Sequence, residues 1–442
     1  MLVFFSDIHL TDGTTGDTVS PAAFDLFINR VAALARKRKA RRIWCVLLGD
    51  GLDVIRSGRW SEPKGCPKPW DPPGPGQEAT VHAVLDGILR QNREAIEALR
   101  RMPERIARKR RINPTNVRFD YLLGNHDWPI NRYRSTRERV VQAIGLDPAF
   151  INAGFPLEFP WEGVRDLAAP YDVLARHGDV YDLLNYDLDA GRDASSVGDA
   201  IVIELLDRLP EEIGRELGGH PSRDRIVARL REVHNVRPLG VIPEWLVGAV
   251  EAEGSDDPAV VRGIHRAVRR SVDRFRASKV YTDFVRRHLW WWERFYLTRV
   301  LYSLRRQEVS WVAKKAGRIV RFASALKSFR RPSAAKYAAR ALEERFHDGS
   351  KPRCIVYGHT HVAETLPLGL ANGGAERYYL NTGTWCRIWQ RGWASEDDPH
   401  FAGWKVMTYA VIYSGGEREG ECSFETWRGE LRENGDPRDP AT

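Results

Sequence analysis

Residues 119 to 128 read FDYLLGNHDW, and this stretch places an amide, an imidazole and a carboxylate at the end of an apolar run. The run has the aromatic and aliphatic residues of a buried strand, and Gly124 ends it. The polar residues that follow are Asn125, His126 and Asp127. Glycine, asparagine and aspartate favour turns, so an ordinary turn is one explanation of the stretch. A functional site at the end of a strand is the other.

Five other apolar runs also end in polar residues. They are LVFFSDIHL (2–10), RIWCVLLGDGLD (42–53), YDVLARHGD (171–179), RCIVYGHTH (353–361) and RYYLNTGTW (377–385). Short apolar runs bounded by Gly and Asp are typical of buried strands. Amphipathic patterns over 21–40 and 78–102 predict helices between the early strands. This alternation predicts a layered α/β fold, in which ligands gather at the carboxyl ends of strands.

The polar residues at these strand ends are of the types that bind metal ions. Two runs end in ligand-type residues with a spacing of two, which places both side chains on one side of a strand. Each fragment alone is a weak signal, but five of them in one α/β pattern form a strong joint signal. The candidate residues are Asp7, His9, Asp50, Asp53, Asn125, His126, His177, His359 and His361.

The ordered series of fragments resembles the calcineurin-like metallophosphoesterase superfamily. That family carries DxH, GDxxD, GNH[DE], H and GHxH, and the chain has SDIHL, GDGLD, GNHD, RHGD and GHTH. The resemblance covers residues 1–182 and 351–390. It implies a layered metallophosphoesterase β-sandwich flanked by helices, with a catalytic domain of residues 1–182 and 351–425. Residues 183–350 are then a large helical insertion, and residues 426–442 a disordered tail.

Carried over position by position, the resemblance implies two adjacent divalent metal ions. It assigns Asp7, His9 and His361 to the first ion, Asn125, His177 and His359 to the second, and Asp50 to both. Imidazole nitrogens with oxygen donors suit Mn, Fe or Zn better than Mg or Ca, and we expect Mn²⁺. Two ions about 3.5–4 Å apart can share a hydroxide and hold both oxygens of an in-line phosphoryl displacement.

The resemblance also implies two catalytic residues. His126 matches the histidine that steadies the developing charge and protonates the leaving oxygen. Asp53 would orient His126, because a carboxylate partner fixes the tautomer of a histidine. Asp127 is better explained as a turn or helix N-cap residue. Residues 381–385 either line the pocket or simply end the last strand.

We therefore predict a phosphoesterase with two metal ions that hydrolyses a phosphodiester or pyrophosphate bond. The order HGD, helical insertion, GHTH is also similar to the UDP-2,3-diacylglucosamine pyrophosphatase group, and a lipid-linked or nucleotide substrate would follow. The chain departs from that group in its longer insertion and in His126, where the group commonly has Arg. The alternatives are a nuclease acting on DNA or RNA and a non-catalytic scaffold of the same fold, which would have gaps in the ligand set.

A basic segment of the insertion predicts a partner. The 442-residue chain has a net charge of +9, whereas residues 286–331 alone carry thirteen Lys/Arg against two Glu, interleaved with Trp and Tyr. A basic helix rich in Trp suits an anionic membrane surface. The same composition suits a nucleic-acid backbone. A helix packed on the catalytic domain is the third explanation, since aromatic residues at helical spacing are usually core.

Other features of the sequence favour a cytoplasmic protein, either free or peripheral to the inner face of a membrane. No run of about 18 apolar residues is present, and the N-terminus lacks the features of a signal peptide. The five cysteines are widely spaced, which predicts free thiols. Residues 57–77 are rich in Pro and Gly and form either a flap beside the site or a solvated linker.

Overall fold

The computed structural model of the chain describes residues 1–16, 18–62, 65–237, 241–252, 257–288, 333–370, 374, 376–392, 401–417 and 423–431. The fold is mixed α/β with two β-sheets. The strands are β1 (Leu2–Phe5), β2 (Ile43–Leu48), β3 (Val117–Leu122), β4 (Glu158–Phe159), β5 (Val173–Arg176), β6 (Cys354–Tyr357), β7 (Ala363–Leu370), β8 (Glu376–Thr382), β9 (Arg387–Arg391), β10 (Phe401–Ile412) and β11 (Phe424–Glu430). All six predicted strands are present, as β1, β2, β3, β5, β6 and β8.

Both sheets are mixed, with parallel strands at one edge of the first sheet and at the centre of the second. The first sheet has the order β11-β10-β1-β2-β3, with β9 paired to β10. The second sheet has the order β4-β5-β6-β8-β7. The parallel neighbours are β1, β2 and β3 in one sheet and β5, β6 and β8 in the other. The strands that precede the predicted site loops are therefore parallel to their neighbours within each sheet.

The fold has four layers, which pack on one another through apolar side chains. One buried cluster contains Phe4 and Val46 from the first sheet with Val356 and Leu380 from the second, so the sheets pack face to face. The other face of the first sheet packs on the helices that lie between residues 21 and 144. The other face of the second sheet packs on the helix Ser333–Glu343. The order is helices, sheet, sheet, helix, and apolar burial on both faces of each sheet holds it together.

Helices connect the strands and make up much of the described part of residues 183–350. The helices are α1 (Pro21–Lys37), α2 (Pro75–Gln91), α3 (Arg93–Arg100), α4 (Met102–Arg110), α5 (Pro129–Arg132), α6 (Arg134–Ile144), α7 (Ala149–Ala153), α8 (Arg165–Ala168), α9 (Val197–Ala200), α10 (Arg208–Leu217), α11 (Arg223–Leu230), α12 (Ile242–Ala252), α13 (Pro258–Ala277) and α14 (Lys279–His288), and a π-helix spans Ile201–Asp207. The single helix predicted over 78–102 is wrong. The helix is interrupted at Asn92, whose side chain donates to the carbonyl of Thr11 at 2.7 Å. A separate helix, α4, begins at Met102 and has Pro103 in its first turn.

Within residues 183–350, the described segments are mainly helical and have an apolar core of their own. Helices α10 to α13 pack around Ile213, Ile264 and Trp245, and Trp389 of β9 joins this cluster. Residues 289–332, which include most of the predicted partner-binding segment, lie outside the described residues. None of the helices in the described ranges is long and apolar enough to cross a membrane.

Several elements correct the sequence expectations. The disordered tail predicted from residue 426 is wrong for its first residues, because β11 runs to Glu430 and Trp427 stacks on Tyr409. The apolar runs of the sequence also do not predict strands β4, β7, β9 and β10. In the loop at 57–77, buried Trp60 donates to the carbonyl of Val54 at 2.8 Å, so its described part is anchored rather than solvated.

Candidate metal centre

The nine predicted site residues lie in the loops that follow β1, β2, β3, β5 and β6. Parallel strands end at the same edge of a sheet, so the loops of each sheet meet there. Contacts of less than 4 Å between side chains of different loops join all nine residues into one cluster. The structure therefore brings together residues that are more than 350 positions apart in the chain, such as His9 and His361.

Five of the predicted metal ligands have a left-handed backbone. Their φ angles are 53° for Asp7, 41° for His9, 51° for Asp50, 69° for His359 and 61° for His361. Residues other than glycine seldom adopt this conformation, and they cluster where the surrounding structure holds them for a function. Here the N–H groups of Asp7 and His9 donate to the carbonyls of Gly49 and Asp50 at 3.2 and 2.9 Å. This backbone indicates a functional site rather than a set of ordinary turns.

Gly124 lets two of the loops approach each other closely. A Cβ atom at this position would lie 2.8 Å from the backbone nitrogen of Asp50 and 2.8 Å from Cδ2 of His177. Both distances are below van der Waals contact, so only glycine fits. Asp127 accepts hydrogen bonds from the N–H groups of Gly124 and Gly51 and so closes the turn, as predicted. The stretch FDYLLGNHDW is therefore both a turn and part of the cluster.

The first predicted ligand set consists of atoms that face one another. The Nε2 atoms of His9 and His361 are 3.0 Å apart, and Oδ1 of Asp7 lies 3.8 and 3.3 Å from them, respectively. This Oδ1 is buried and has no hydrogen-bond partner within the described residues. The other oxygen of Asp7 accepts from the Ser6 hydroxyl and from the N–H of His359. One oxygen of Asp7 is thus held in place and the other is left for a cation.

The second predicted set has the same character. Oδ1 of Asn125 lies 3.1 Å from Nε2 of His177 and 3.0 Å from Nδ1 of His359. The other ring nitrogens contact the carbonyl of Leu48 at 2.7 Å and Oδ2 of Asp182 at 3.3 Å. Carbonyl and carboxylate oxygens accept hydrogen bonds, so these outer nitrogens carry the hydrogens. When both imidazoles are neutral, the inner nitrogens therefore present lone pairs to the lone pairs of the amide oxygen.

Asp50 joins the two sets. Its Oδ2 lies 3.7 Å from Nε2 of His9 and 3.3 Å from Nε2 of His177, while its Oδ1 accepts from the N–H of His126 at 2.9 Å. Burial opposes charging of His177, but the charge of Asp50 outweighs it and raises the pKa of that imidazole to about 10. A cation beside Asp50, whether a proton or a metal ion, is therefore strongly stabilised.

The donor atoms fit a metal ion in spacing and chemistry. Ligand atoms about 2.1 Å from one ion lie about 3.0–3.4 Å from each other in octahedral or tetrahedral geometry. Three groups in the described residues have the composition and spacing to hold an ion, namely Asp7 with His9 and His361, His9 with Asp53 and His126, and Asp7 with Asp50 and His177. Imidazole nitrogens with carboxylate and amide oxygens suit Mn, Fe or Zn.

Asp53 holds two imidazoles at once. Its Oδ2 accepts from Nδ1 of His9 at 2.7 Å, and its Oδ1 lies 2.9 Å from Nδ1 of His126. Arg56 also pairs with this carboxylate at 3.1 Å. Nε2 of His126 forms no hydrogen bond within the described part of the chain, and this side chain is 12% exposed. His126 therefore lies on the open side of the cluster, where a substrate can reach it.

Residues 381–385 support the loop of Asp7. The hydroxyl of Thr384 donates to the carbonyl of Asp7 at 2.6 Å, and the Thr382 hydroxyl lies 2.6 Å from that of Ser6. Trp385 is buried against Phe5. The segment therefore fixes the position of a predicted ligand and does not merely end the strand.

Sequence reasoning missed two residues that contact the predicted ligands. Asp182 orients the ring of His359. Arg237 places Nη2 at 2.9 Å from Nδ1 of His361. Burial lowers the pKa of Arg237 to about 10, which leaves the guanidinium charged at neutral pH. The position of Asp182, shortly after the HGD motif, is a weak signal, and nothing in the sequence around Arg237 shows that it reaches the centre.

No family model matches the chain, and a search of the curated proteins finds no match. The resemblance of the motifs to the metallophosphoesterases therefore rests on the chain's own residues. It contributes to a proposal of function and does not establish membership of the family.

Proposed function

We propose that the chain is a phosphoesterase that uses two divalent metal ions to hydrolyse a phosphodiester or pyrophosphate bond. The single observation that carries this proposal is the convergence of two sets of side chains of metal-ligand types on the carboxylate of Asp50. The outer nitrogens of His9, His177 and His359 face oxygen acceptors, so in the neutral imidazoles the inner nitrogens carry lone pairs that face the oxygens of Asp7, Asp50 and Asn125. Buried acceptors that face acceptors are costly unless a cation lies among them.

The ligand assignment is the one that the resemblance implies, and the distances between the donor atoms support it. Asp7, His9 and His361 would hold one ion, Asn125, His177 and His359 the other, and Asp50 both. Two ions, when bound, supply an activated water and neutralise charge on the phosphoryl group. The chain's own contribution is to hold the ligands before substrate arrives, through strained loops and through outer partners such as Leu48 and Asp182. Mn²⁺ suits this mixed donor set, with Fe and Zn as the other candidates.

His126 is the proposed general acid. Its Nδ1 is engaged by Asp53, so Nε2 is the nitrogen that remains for the substrate. Its backbone is fixed on both sides, because its N–H donates to Asp50 and its carbonyl accepts from the N–H groups of Val54 and Ile55. Burial opposes charging of His126, but Asp53 and Asp50 raise its pKa. A protonated Nε2 held in this way can donate its proton to the leaving oxygen.

The fold and the motifs agree with this assignment. Two face-to-face mixed sheets with helices outside support the proposal, because the metallophosphoesterase resemblance implies a layered sandwich flanked by helices. The resemblance to the UDP-2,3-diacylglucosamine pyrophosphatase group favours a lipid-linked or nucleotide substrate. Contact of residues 286–331 with an anionic membrane surface stays a prediction, because residues 289–332 lie outside the described residues.

Metal content and hydrolysis test the proposal together. The protein is stripped with a chelator, reloaded with Mn²⁺, Fe²⁺, Zn²⁺ or Mg²⁺ and passed through a desalting column before elemental analysis. Each form is assayed with bis-p-nitrophenyl phosphate and p-nitrophenyl phosphate. We expect about two Mn²⁺ ions per chain and turnover of the diester that is lost in the stripped protein. A folded protein that binds none of the metals and hydrolyses neither substrate would instead be a scaffold.

A further inference from the structure

The guanidinium of Arg237, a residue of the helical insertion, lies next to the metal centre. The chain at Val236 forms a parallel bridge with Trp389 of β9, and the N–H of Arg237 donates to the carbonyl of Trp389 at 2.8 Å. The side chain then reaches His361, with Nη2 at 2.9 Å from Nδ1 and at 3.4 Å from Nε2. Nε2 is the nitrogen that faces Asp7. The insertion and β9 therefore place this guanidinium next to a predicted ligand.

The charge of Arg237 has no carboxylate partner within 4 Å among the described residues. Its Nη1 donates to the carbonyls of His234 and Val236, at 2.7 and 2.9 Å. Other buried arginines at this site are paired, as Arg192 is with Asp179 and Arg56 with Asp53. Burying a charge without a counter-ion is unfavourable, so an unpaired guanidinium aimed at a site indicates an anionic ligand.

The contact between Arg237 and His361 is incompatible with an ion bound at Nε2. When Nε2 of His361 uses its lone pair for a metal ion, Nδ1 carries the hydrogen. The N–H of the guanidinium then meets an N–H of the ring, and neither can accept. Arg237 must turn to another acceptor when the ion is present. An anionic oxygen held at the centre is an acceptor that also balances its charge.

We propose that Arg237 binds a phosphate oxygen of the substrate, so that the insertion supplies part of the active site. The proposal deepens the proposed function and rests on it for the identity of the substrate. The planar guanidinium has parallel donors that match two phosphate oxygens, and Nη1 is already oriented by backbone carbonyls. Arg237 would act by binding, while His126 and the metal ligands carry the chemistry.

Three variants test the assignment in the Mn²⁺-loaded full-length protein. Arg237→Gln removes the positive charge, and Arg237→Lys keeps the charge but lacks the parallel N–H donors of the guanidinium. Arg269→Gln makes the same neutralising change at an exposed position of α13. We expect Arg237→Gln to lower kcat/KM on bis-p-nitrophenyl phosphate about tenfold to hundredfold with unchanged metal content. Lysine should restore part of the loss, and Arg269→Gln should behave as the unmodified protein.

Inorganic phosphate gives a second readout that needs no catalysis. The thermal midpoint of the Mn²⁺-loaded protein is measured with increasing phosphate. Phosphate should raise the midpoint of the unmodified protein and of Arg269→Gln, and should raise that of Arg237→Gln less at each concentration. If no substrate is hydrolysed but this difference is observed, the proposed function fails and the anion site stands.

Three outcomes would overturn the assignment. Hydrolysis and phosphate stabilisation that are unchanged in Arg237→Gln would show that the residue binds no phosphate, whatever the fate of the proposed function. A loss of metal in Arg237→Gln, matching the loss of activity, would show that Arg237 only supports His361. Failure of phosphate to stabilise even the unmodified protein would also exclude the site.

Discussion

Two clusters of charged side chains differ in how their charges are balanced. One consists of the ion pairs between α10 and α13, and the other is the metal centre. We call the first cluster the ladder. At its middle, Glu212 lies 3.1, 3.2 and 3.0 Å from guanidinium nitrogens of Arg215, Arg270 and Arg274. Glu216 is paired with Arg270 in the same way. Every one of these carboxylates faces donors that belong to the chain, so the ladder is complete without any outside group.

The metal centre lacks such a balance. The inner oxygens of Asp7, Asp50 and Asn125 face imidazole nitrogens of predicted ligands, and Oδ1 of Asp7 has no hydrogen-bond partner within the described residues. We therefore expect the ladder to act as a structural feature and, in line with the proposed function, the centre to require a cation from solution. Substitutions should divide along the same line. Those in the centre should change metal content and catalysis, and those in the ladder should change stability alone.

Asp50→Asn should have the largest effect, because it removes the charge that both ligand sets share. Asparagine has nearly the same size and can still accept from the N–H of His126. We expect loss of bound metal and a fall of about a thousandfold in kcat on bis-p-nitrophenyl phosphate, the equivalent of several kcal/mol of transition-state stabilisation. Asp189→Asn, the same change at an exposed position, is the control. If Asp50→Asn keeps its metal and its turnover, the shared role of this carboxylate is wrong.

His126→Gln should separate proton donation from metal binding. With a leaving group that needs a proton, such as an alkyl alcohol, we expect kcat to fall about a hundredfold or more. p-Nitrophenolate leaves without a proton, so its diester should lose much less. Metal content should not change, because His126 is not among the proposed ligands. His347→Gln at an exposed position is the control. Equal losses for both leaving groups would argue against a general acid.

Asp182→Asn should lower the affinity for metal ions, although Asp182 is not a proposed ligand. Asp182 contacts Nε2 of His359 at 3.3 Å, and asparagine would allow the ring to rotate or change tautomer. Loss of such an outer partner typically costs about tenfold to hundredfold in metal affinity. Competition with a chelator, compared with the unmodified protein and Asp189→Asn, measures the change. An unchanged affinity would mean that the hydrogen bond to His359 contributes nothing to metal binding.

The two clusters also differ in how far the sequence predicts them. The residues of the centre follow short apolar runs, and their spacing in each loop is a local feature that can be read without a fold. Topology then brings the loops together, because parallel strands end at the same edge. The ladder offers no such signal. Glu212 meets Arg270 and Arg274 through the packing of α10 on α13, which depends on tertiary structure.

The other omissions have the same physical origin. Strand β7 contains Pro367 and Gly369 with an irregular register between them, so its sequence lacks a clear strand pattern. Arg237 reaches the centre because the preceding residue, Val236, forms a parallel bridge with Trp389 of β9. This bridge joins segments about 150 residues apart in the chain. Local propensity and spacing carry no information on contacts of this kind. The sequence thus predicts the residues at strand ends far better than the residues that surround them.

Glu212→Gln should have the smallest effect and should leave the centre untouched. Burial opposes the charged form of Glu212, but Arg274 and Arg215 outweigh it and hold its pKa below the ordinary value of 4.5. Its contribution to stability is therefore present at neutral pH and is lost as the pH falls below about 4.5. The arginines are partly exposed, so we expect a loss of only about 1 kcal/mol in the free energy of unfolding at pH 7.

Chemical denaturation of the Glu212→Gln variant at pH 7 and at pH 4 measures this contribution, with the exposed Glu343→Gln as the control. The stabilities of the variant and the unmodified protein should converge at the lower pH, because the unmodified carboxyl is increasingly protonated there. Metal content and hydrolysis should equal those of the unmodified protein at pH 7. A loss of bound metal in Glu212→Gln would contradict the division between the two clusters, since it would couple the ladder to the centre.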